Sequence, residues 1–298
     1  MTIQAVLVDS IEAQTKSEGL WSKAWKRFFR HKMAILGLIV ISIMIALAVF
    51  APVVGRYSPI ELDLGNMKQP PNMDHWLGTD TTGRDVWART LYAGQVSLSV
   101  GLVAVTLSTI LGIIIGSLAG YASGWVDMVL MRITDMVMTF PSLVIIIAVA
   151  AMLGPSIYTT MVVIGALGWP ATARLVRGQF LSLREQQFVL AARSIGVEPI
   201  EIVFKHLFPN VISSVTVAAT FGMASAILQE ATLSFLGLGV QIPTPSWGNM
   251  LRDAQTLSTL ENLPWLWLSP GIMIALAVLS INFIGDGLRD ALDPRSIL

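Results

Sequence analysis

From Thr90 to Val126 the chain carries no Lys, Arg, Asp or Glu. A helix needs about 20 predominantly apolar residues to cross a hydrocarbon layer. In lipid every backbone N–H and C=O must be satisfied internally, so only helices or closed barrels span it. The remaining composition points the same way. Hydrophobic residues make up 54% and charged residues 13%, where soluble domains carry about a quarter charged. The sequence therefore reads as an all-α membrane protein.

Apolar runs predict six transmembrane helices. The first covers 33–54, too late and too long for a cleaved signal segment, so it reads as an uncleaved span. The second lies in 96–121. The third and fourth share 128–176, divided where Gly154 and Pro155 interrupt the pattern. The fifth falls near 211–236 and the sixth near 267–287. Residues 1–32 read as an N-terminal tail, its first 20 residues mobile. Residues 55–95 read as a loop with an interfacial segment from 85 to 95, and 291–298 as the C-terminal end. No soluble domain, internal repeat or low-complexity tract is evident.

Basic residues orient the chain, because cytoplasmic flanks are enriched in Lys and Arg. Lys16, Lys23, Lys26, Arg27, Arg30 and Lys32 precede the first span. Arg174, Arg177, Arg184, Arg193 and Lys205 lie in 174–209, and Arg289 and Arg295 at the C-terminus. The opposite side holds Arg56, Lys68, Arg84, Arg89 and Arg252. Both termini are thus expected in the cytoplasm and the 55–95 loop outside. Trp265 and Trp267 suit the outer interface.

Between the fourth and fifth spans lies the polar stretch "LAARSIGVEPIEIVFKHLFPN", Leu190 to Asn210. "SLRE", Ser182 to Glu185, fits a helix capping box. Gly196 stands where a helix would end in a left-handed turn, and Pro199 suits the first turn of the next helix. There Ile200, Val203, Phe204 and Leu207 are expected on one face. Glu201 and Lys205 form a favourable i,i+4 pair, and Pro209 should stop the helix. The result is an L-shaped helix pair. Its residues fit either an amphipathic helix lying on lipid or a rigid surface for a partner groove.

Ala191, Ala192, Gly196 and Pro209 resemble the EAA loop of ABC importer permeases. Leu190, His206 and Phe208 depart from the broad form of that pattern. "LAARSIG" and "KHLFPN" are similar to its dipeptide, oligopeptide and nickel branch, as are "FFRHKMAILGLIVI", "HWLGTDTTGRDVWARTLYAGQVSLSVG", "GWVDMVLMRITDMVMTFPSL", "ATLSFLGLG", "SWGNMLRDA" and "INFIGDGLRDALDPR". The resemblance runs from about Phe28 to Arg295 and is strongest to the second permease subunit of these systems, the DppC/OppC type. It implies a type I importer permease fold with its core at 96–290 and the EAA loop at 178–209. It implies four kinds of neighbour: a second permease, two ATP-binding subunits, an extracytoplasmic binding protein and membrane lipid. Ala191, Ala192, Gly196, Pro199, Ile200, Phe204, Leu207 and Pro209 would then couple this chain to an ATPase in the bacterial or archaeal cytoplasmic membrane. The solute would be a di- or oligopeptide or a related small molecule, moved inward by alternating access.

The residues themselves suggest that energy comes from elsewhere. The pattern G-x4-G-K-[ST] is missing, so ATP and magnesium are expected on partner subunits and no cofactor on this chain. No cysteine is present and the three histidines are scattered, which argues against disulfides, thiolate metal sites and histidine clusters. Zero formal net charge gives no field for nucleic acid. An enzyme would need a convergent acid, base or metal group that is hard to assemble here. A self-contained secondary transporter remains the main rival, with a simple channel behind it.

Three intramembrane charges stand out, because such groups are costly and face protein or water. Arg132 and Asp135 can face each other at i,i+3, as a structural pair or beside the pathway. Glu230 can line the pathway or bond a neighbouring helix. Asp80, Arg84 and Asp85 read as a capped turn in preference to a hydrolytic carboxylate pair. Pro141 and Pro170 should kink their spans. Gly112, Gly116 and Gly120 allow two backbones to approach closely. His31 and His75 have no visible partner, and His206 can cap carbonyls or touch a partner.

Overall fold

The computed structural model describes residues 25–292, so the expected mobile tail lies outside the described residues. All regular elements among the described residues are helical. We number the main helices α1 (Lys32–Val49), α2 (Val86–Ala122), α3 (Gly124–Thr139), α4 (Ser142–Leu153), α5 (Ile157–Leu183), α6 (Gln187–Ser194), α7 (Pro199–Phe235), α8 (Trp247–Arg252), α9 (Leu257–Asn262) and α10 (Trp265–Leu292). Helices α1, α2, α5, α7 and α10 are each long and apolar enough to span a membrane. Helices α3 and α4 pass the same test only together, as one bent pair, which gives five candidate spans, or six with the pair counted as one.

The expected division of 128–176 falls between Leu153 and Ile157 as anticipated, and the bend lies within the third span, at the expected Pro141 kink. The segment holds two breaks, and the first is an 84° turn between α3 and α4 at Phe140–Pro141. The proline ring pushes the residue before it out of the helical region, and Phe140 sits at φ −93°, ψ 142°. The second break is the anticipated one, where Ser156 caps α5 by accepting from the Thr159 N–H at 3.0 Å. Pro170, by contrast, lies inside a helix that continues past it.

The expected interfacial segment 85–95 is not separate. Asp85 caps α2 by accepting from the Ala88 N–H at 2.7 Å, and one helix then runs to Ala122. The first span is shorter than expected, ending at Val49 before a separate turn at Ala51–Val54 that carries Pro52. His31 has two partners after all. Its Nδ1 accepts from the Ala34 N–H at 3.1 Å at the start of α1, and its Nε2 lies 3.5 Å from Asp290.

Helices α2 and α5 form the central pair. A Cβ added to Gly112, Gly116 or Gly120 would lie 2.5–2.6 Å from Thr172 Cβ, the Ala173 carbonyl or Phe180 Cβ. The three glycines therefore set the close approach of these backbones. Helix α7 packs across the pair, and α1 and α10 pack together beside it. One core gathers Ile41, Met44, Ile227, Trp247 and Leu266. A second, around Phe180, Val189, Ile202 and Leu207, lies beneath the polar helix pair.

Candidate functional site

The polar stretch forms a corner. Helix α5 continues to Leu183 with Phe180 fully buried, so Ser182 lies inside its last turn and the expected SLRE box is not made. Arg184 instead bonds its neighbour Glu185 at 3.0 Å. Helix α6 starts after Gln186 without a side-chain cap, burying Val189 and Ala192. It ends in a Schellman motif: Gly196 N–H donates to the Arg193 carbonyl at 3.0 Å and Val197 N–H to that of Ala192 at 3.1 Å. Gly196 has φ +80°, and nothing lies within 4 Å of where its Cβ would be. Glycine is required here by backbone conformation alone.

Pro199 then opens α7 at its first turn. Two expectations fail beyond it. Pro209 does not stop the helix, and the face Ile200–Phe204–Leu207 is split. Residues Ile202–Leu207 form a π-helical turn in which Phe208 N–H donates to the carbonyl of Val203. Such a wide turn inserts an extra residue, which rotates the later residues by about 100° on a helix of 3.6 residues per turn. Ile200 and Phe204 are therefore exposed, while Leu207 is fully buried in the core below. The helix passes Pro209 in this altered register. Ala191, Gly196, Pro199 and Pro209 are exposed and Ala192 is buried. The outward surface thus gathers Ala191, Ile195, Gly196, Ile200 and Phe204. Lys205 bonds Glu201 at 2.7 Å as expected. The His206 ring lies 6.4 Å from that of Phe188, linking α7 to α6.

The intramembrane charges are paired differently from expectation. Asp135 bonds Arg174 at 2.5 Å across α3 and α5, not Arg132. Two turns away, Arg177 grips Asp127 with both ends of its guanidinium at 2.5 and 2.6 Å. Arg174 and Arg177 thus belong to α5 and anchor the bent α3, whereas Arg132 is exposed and makes no ion pair among the described residues. The carboxylates eight apart on α3 and the arginines three apart on α5 carried this signal. Placing both arginines in a loop hides it.

Glu230 is fully buried. Ser97 Oγ of α2 and Ser234 Oγ of α7 donate to it at 2.8 and 2.7 Å. Each hydroxyl oxygen in turn accepts a backbone N–H, Trp247 at 3.2 Å and Val240 at 3.0 Å. Glu230 therefore bonds one neighbouring helix, α2, and, through two serines, fixes the 240–247 segment.

At the start of α2 a second network is built from distant parts of the chain. Asp80 accepts from Arg84 Nε at 2.6 Å, the Thr82 hydroxyl at 2.7 Å and the N–H groups of Thr82 and Arg84. Arg89 lies 3.5 Å from Asp80 and 3.2 Å from Asp253 at the end of α8. Burial opposes ionisation of Asp80, but Arg89, the Thr82 hydroxyl and Arg84 outweigh it and hold the carboxyl below its ordinary value. For Asp253 burial prevails over Arg89 and Arg84, and its value is raised. Asp85 caps α2 and bonds His75 Nδ1 at 2.9 Å, which supplies the partner that the sequence did not reveal for His75. The carboxylates Asp80 and Asp85 are thus fully engaged in structure. Among the described residues no group of three or more His, Asp or Glu is placed to hold a metal ion.

Five long apolar helices and one bent pair, closely packed glycines and an exposed corner define a multi-pass membrane protein. The chain belongs to the family described as binding-protein-dependent transport system inner membrane component, whose pattern matches residues 112–297. It is a multi-pass inner-membrane permease of the type I fold, a transport component of an ABC importer and not an enzyme. As such it works with ATPase and binding-protein partners. Residues 19–71 match the N-terminal transmembrane domain of oligopeptide transport permease C. The chain is 43% identical over 284 residues to the dipeptide transport system permease protein DppC of Alkalihalophilus pseudofirmus, covering 95% of this chain and 93% of that one. It is 40% identical to the oligopeptide transport system permease proteins OppC of Bacillus subtilis, covering 96% and 93%, and of Haemophilus influenzae, covering 95% and 91%.

Proposed function

We propose that this chain is the second of two permease subunits in an importer that moves di- or oligopeptides, or a related small solute, inward. Two ATP-binding subunits hold the ATP and magnesium, and an extracytoplasmic binding protein delivers the solute. This chain binds no cofactor and no nucleic acid. Both termini and the corner face the cytoplasm, while the networks of Asp80 and Glu230 lie toward the outer side. The peptide assignment draws on the similarity to the DppC and OppC permeases.

The observation that carries the coupling role is the corner itself. Gly196 at φ +80° fixes the angle between α6 and α7, and large apolar side chains of Ile195, Ile200 and Phe204 stand exposed beside it. A rigid, exposed apolar corner suits a protein groove. Because Leu207 and Ile202 root it in the core under α5 and α7, a push on the corner moves the spans. Ala191, Ala192, Gly196, Pro199 and Pro209 set its geometry, Ile200 and Phe204 make the contact, and Leu207 transmits it.

Affinity purification from native membranes tests the assembly. A second permease, ATPase subunits and a binding protein should be recovered, and the reconstituted complex should take up peptides only with ATP. A chain that stays alone in mild detergents and transports on an ion gradient without ATP would establish the secondary-transporter reading instead.

A further inference from the structure

We propose that Gln229 is the point at which this subunit holds the backbone of a passing peptide, within a passage whose walls on this chain carry no charge. The inference rests on the peptide reading above. Two cavities of about 420 Å³ each are bordered by α5, within the size range of small-molecule sites. One is bounded by Phe140, Pro141, Ser142 and Leu167. The other is bounded by Ser108, Thr172, Phe221 and Ser225. Gly168, Ala171 and Gln229 line both. Two small residues of α5 and one amide of α7 therefore border both spaces.

The first cavity lies at the break in the bent span. Phe140, Pro141 and Ser142 are all exposed. A non-helical backbone at membrane depth is tolerated only where protein covers it or water lines it, and broken helices commonly border solute paths. Every side chain lining the two cavities is uncharged; the polar ones are serines, threonines and Gln229. Gln229 Nε2 donates to Ser225 Oγ at 3.0 Å. Its Oε1 and its other N–H have no further bond among the described residues. One carboxamide offers both a donor and an acceptor, which matches the N–H and C=O of a peptide bond whatever the side chains. Neutral walls and a backbone reader together allow acidic, basic and neutral peptides to pass alike.

The test uses the assembled importer. The chain contains no cysteine, so Gln229→Cys introduces a unique thiol here. Leu228, exposed on another face of α7 and absent from both cavities, supplies the control. In nanodiscs open on both faces, cationic and anionic methanethiosulfonates should modify Gln229→Cys at comparable rates once corrected for their reactivity with a free thiol. They should modify Leu228→Cys far more slowly. A Gln229→Cys no faster than the control, or one reacting with a single reagent charge, overturns the passage assignment. Uptake is then compared for Lys-Ala, Ala-Ala and Asp-Ala at saturating binding protein. Gln229→Lys should lower the turnover ratio of Lys-Ala to Asp-Ala by about tenfold, and Gln229→Glu should raise it by about as much. Unchanged ratios overturn the role of Gln229. If the unaltered complex transports none of the three peptides, the peptide reading falls, while the thiol rates still decide whether Gln229 borders the passage.

Discussion

Ser97 of α2 donates a 2.8 Å hydrogen bond to Glu230 of α7, and no cation pairs with this buried carboxylate among the described residues. Its second oxygen is served by Ser234 at 2.7 Å. Because each serine oxygen already accepts a backbone N–H, both hydroxyl protons are committed to Glu230. The arrangement ties two spans and the 240–247 segment to one side chain.

Glu230→Ala should therefore strand two buried hydroxyls, at a cost of about 1–3 kcal/mol. Thermal unfolding of the assembled complex in detergent would show a lower midpoint. Ser97→Ala alone should cost less, and the double variant should cost less than the sum of the two, since both changes break one bond. Strict additivity would mean that the hydrogen bond contributes nothing.

Gly196 gives a contrasting case, with open space but a positive φ. Gly196→Val should strain the corner by about 1–2 kcal/mol and reduce peptide uptake per ATP hydrolysed. Gly196→Asn, which visits the left-handed region more readily, should retain more coupling. Uptake and ATPase rates measured together in proteoliposomes check both. Full coupling in Gly196→Val would remove this corner from the mechanism.

The glycines between α2 and α5 obey the opposite logic. A Cβ at Gly116 would lie 2.5 Å from the Ala173 carbonyl, so Gly116→Val should cost about 1–3 kcal/mol or more through overpacking. Gly178 of α5 has nothing within 4 Å, and Gly178→Ala should be neutral or about 0.5–1 kcal/mol stabilising. Thermal midpoints of the two variants should therefore move in different directions.

The Asp80 network predicts a pH dependence with a defined sign. The Asp80 carboxyl is held below its ordinary value, so its contribution is present above that value and is lost as pH falls through the lowered one. Asp253 is raised, so it favours the fold below its ordinary value and loses that contribution as pH climbs through the raised one. Asp80→Asn leaves Arg84 and Arg89 facing a neutral group. It should destabilise by about 3 kcal/mol near neutral pH, with the difference shrinking in strong acid. Thermal midpoints of both proteins across acidic pH would show the curves converging; a constant gap would exclude ionic stabilisation by Asp80.

The linear sequence was enough to determine the membrane class, the placement of the long apolar helices and the corner. Those rest on local physics: charge-free length, the left-handed preference of glycine and the fixed φ of proline. The corner at Gly196–Pro199 needed no tertiary information because both residues act on their own backbone. The resemblance carried by the separated motifs supplied the transporter family. The sharpness of the bend in the third span was less legible. Pro141 reads as a kink in the sequence, but hydropathy alone could not show that the chain turns by 84° there.

Pairing was decided only in three dimensions. Asp253 lies 164 residues from Arg89, and Ser97 lies 133 from Glu230. No local pattern brings such partners together; helix packing does. The π-helical turn at Ile202–Leu207 likewise altered the register that a uniform 3.6-residue period assigned, sending Leu207 inward and Phe204 outward. The sequence set which segments enter the membrane, through the cost of exposing backbone and charge to lipid. Tertiary packing decided which side chains meet, because that depends on the rotation and depth of each helix against its neighbours.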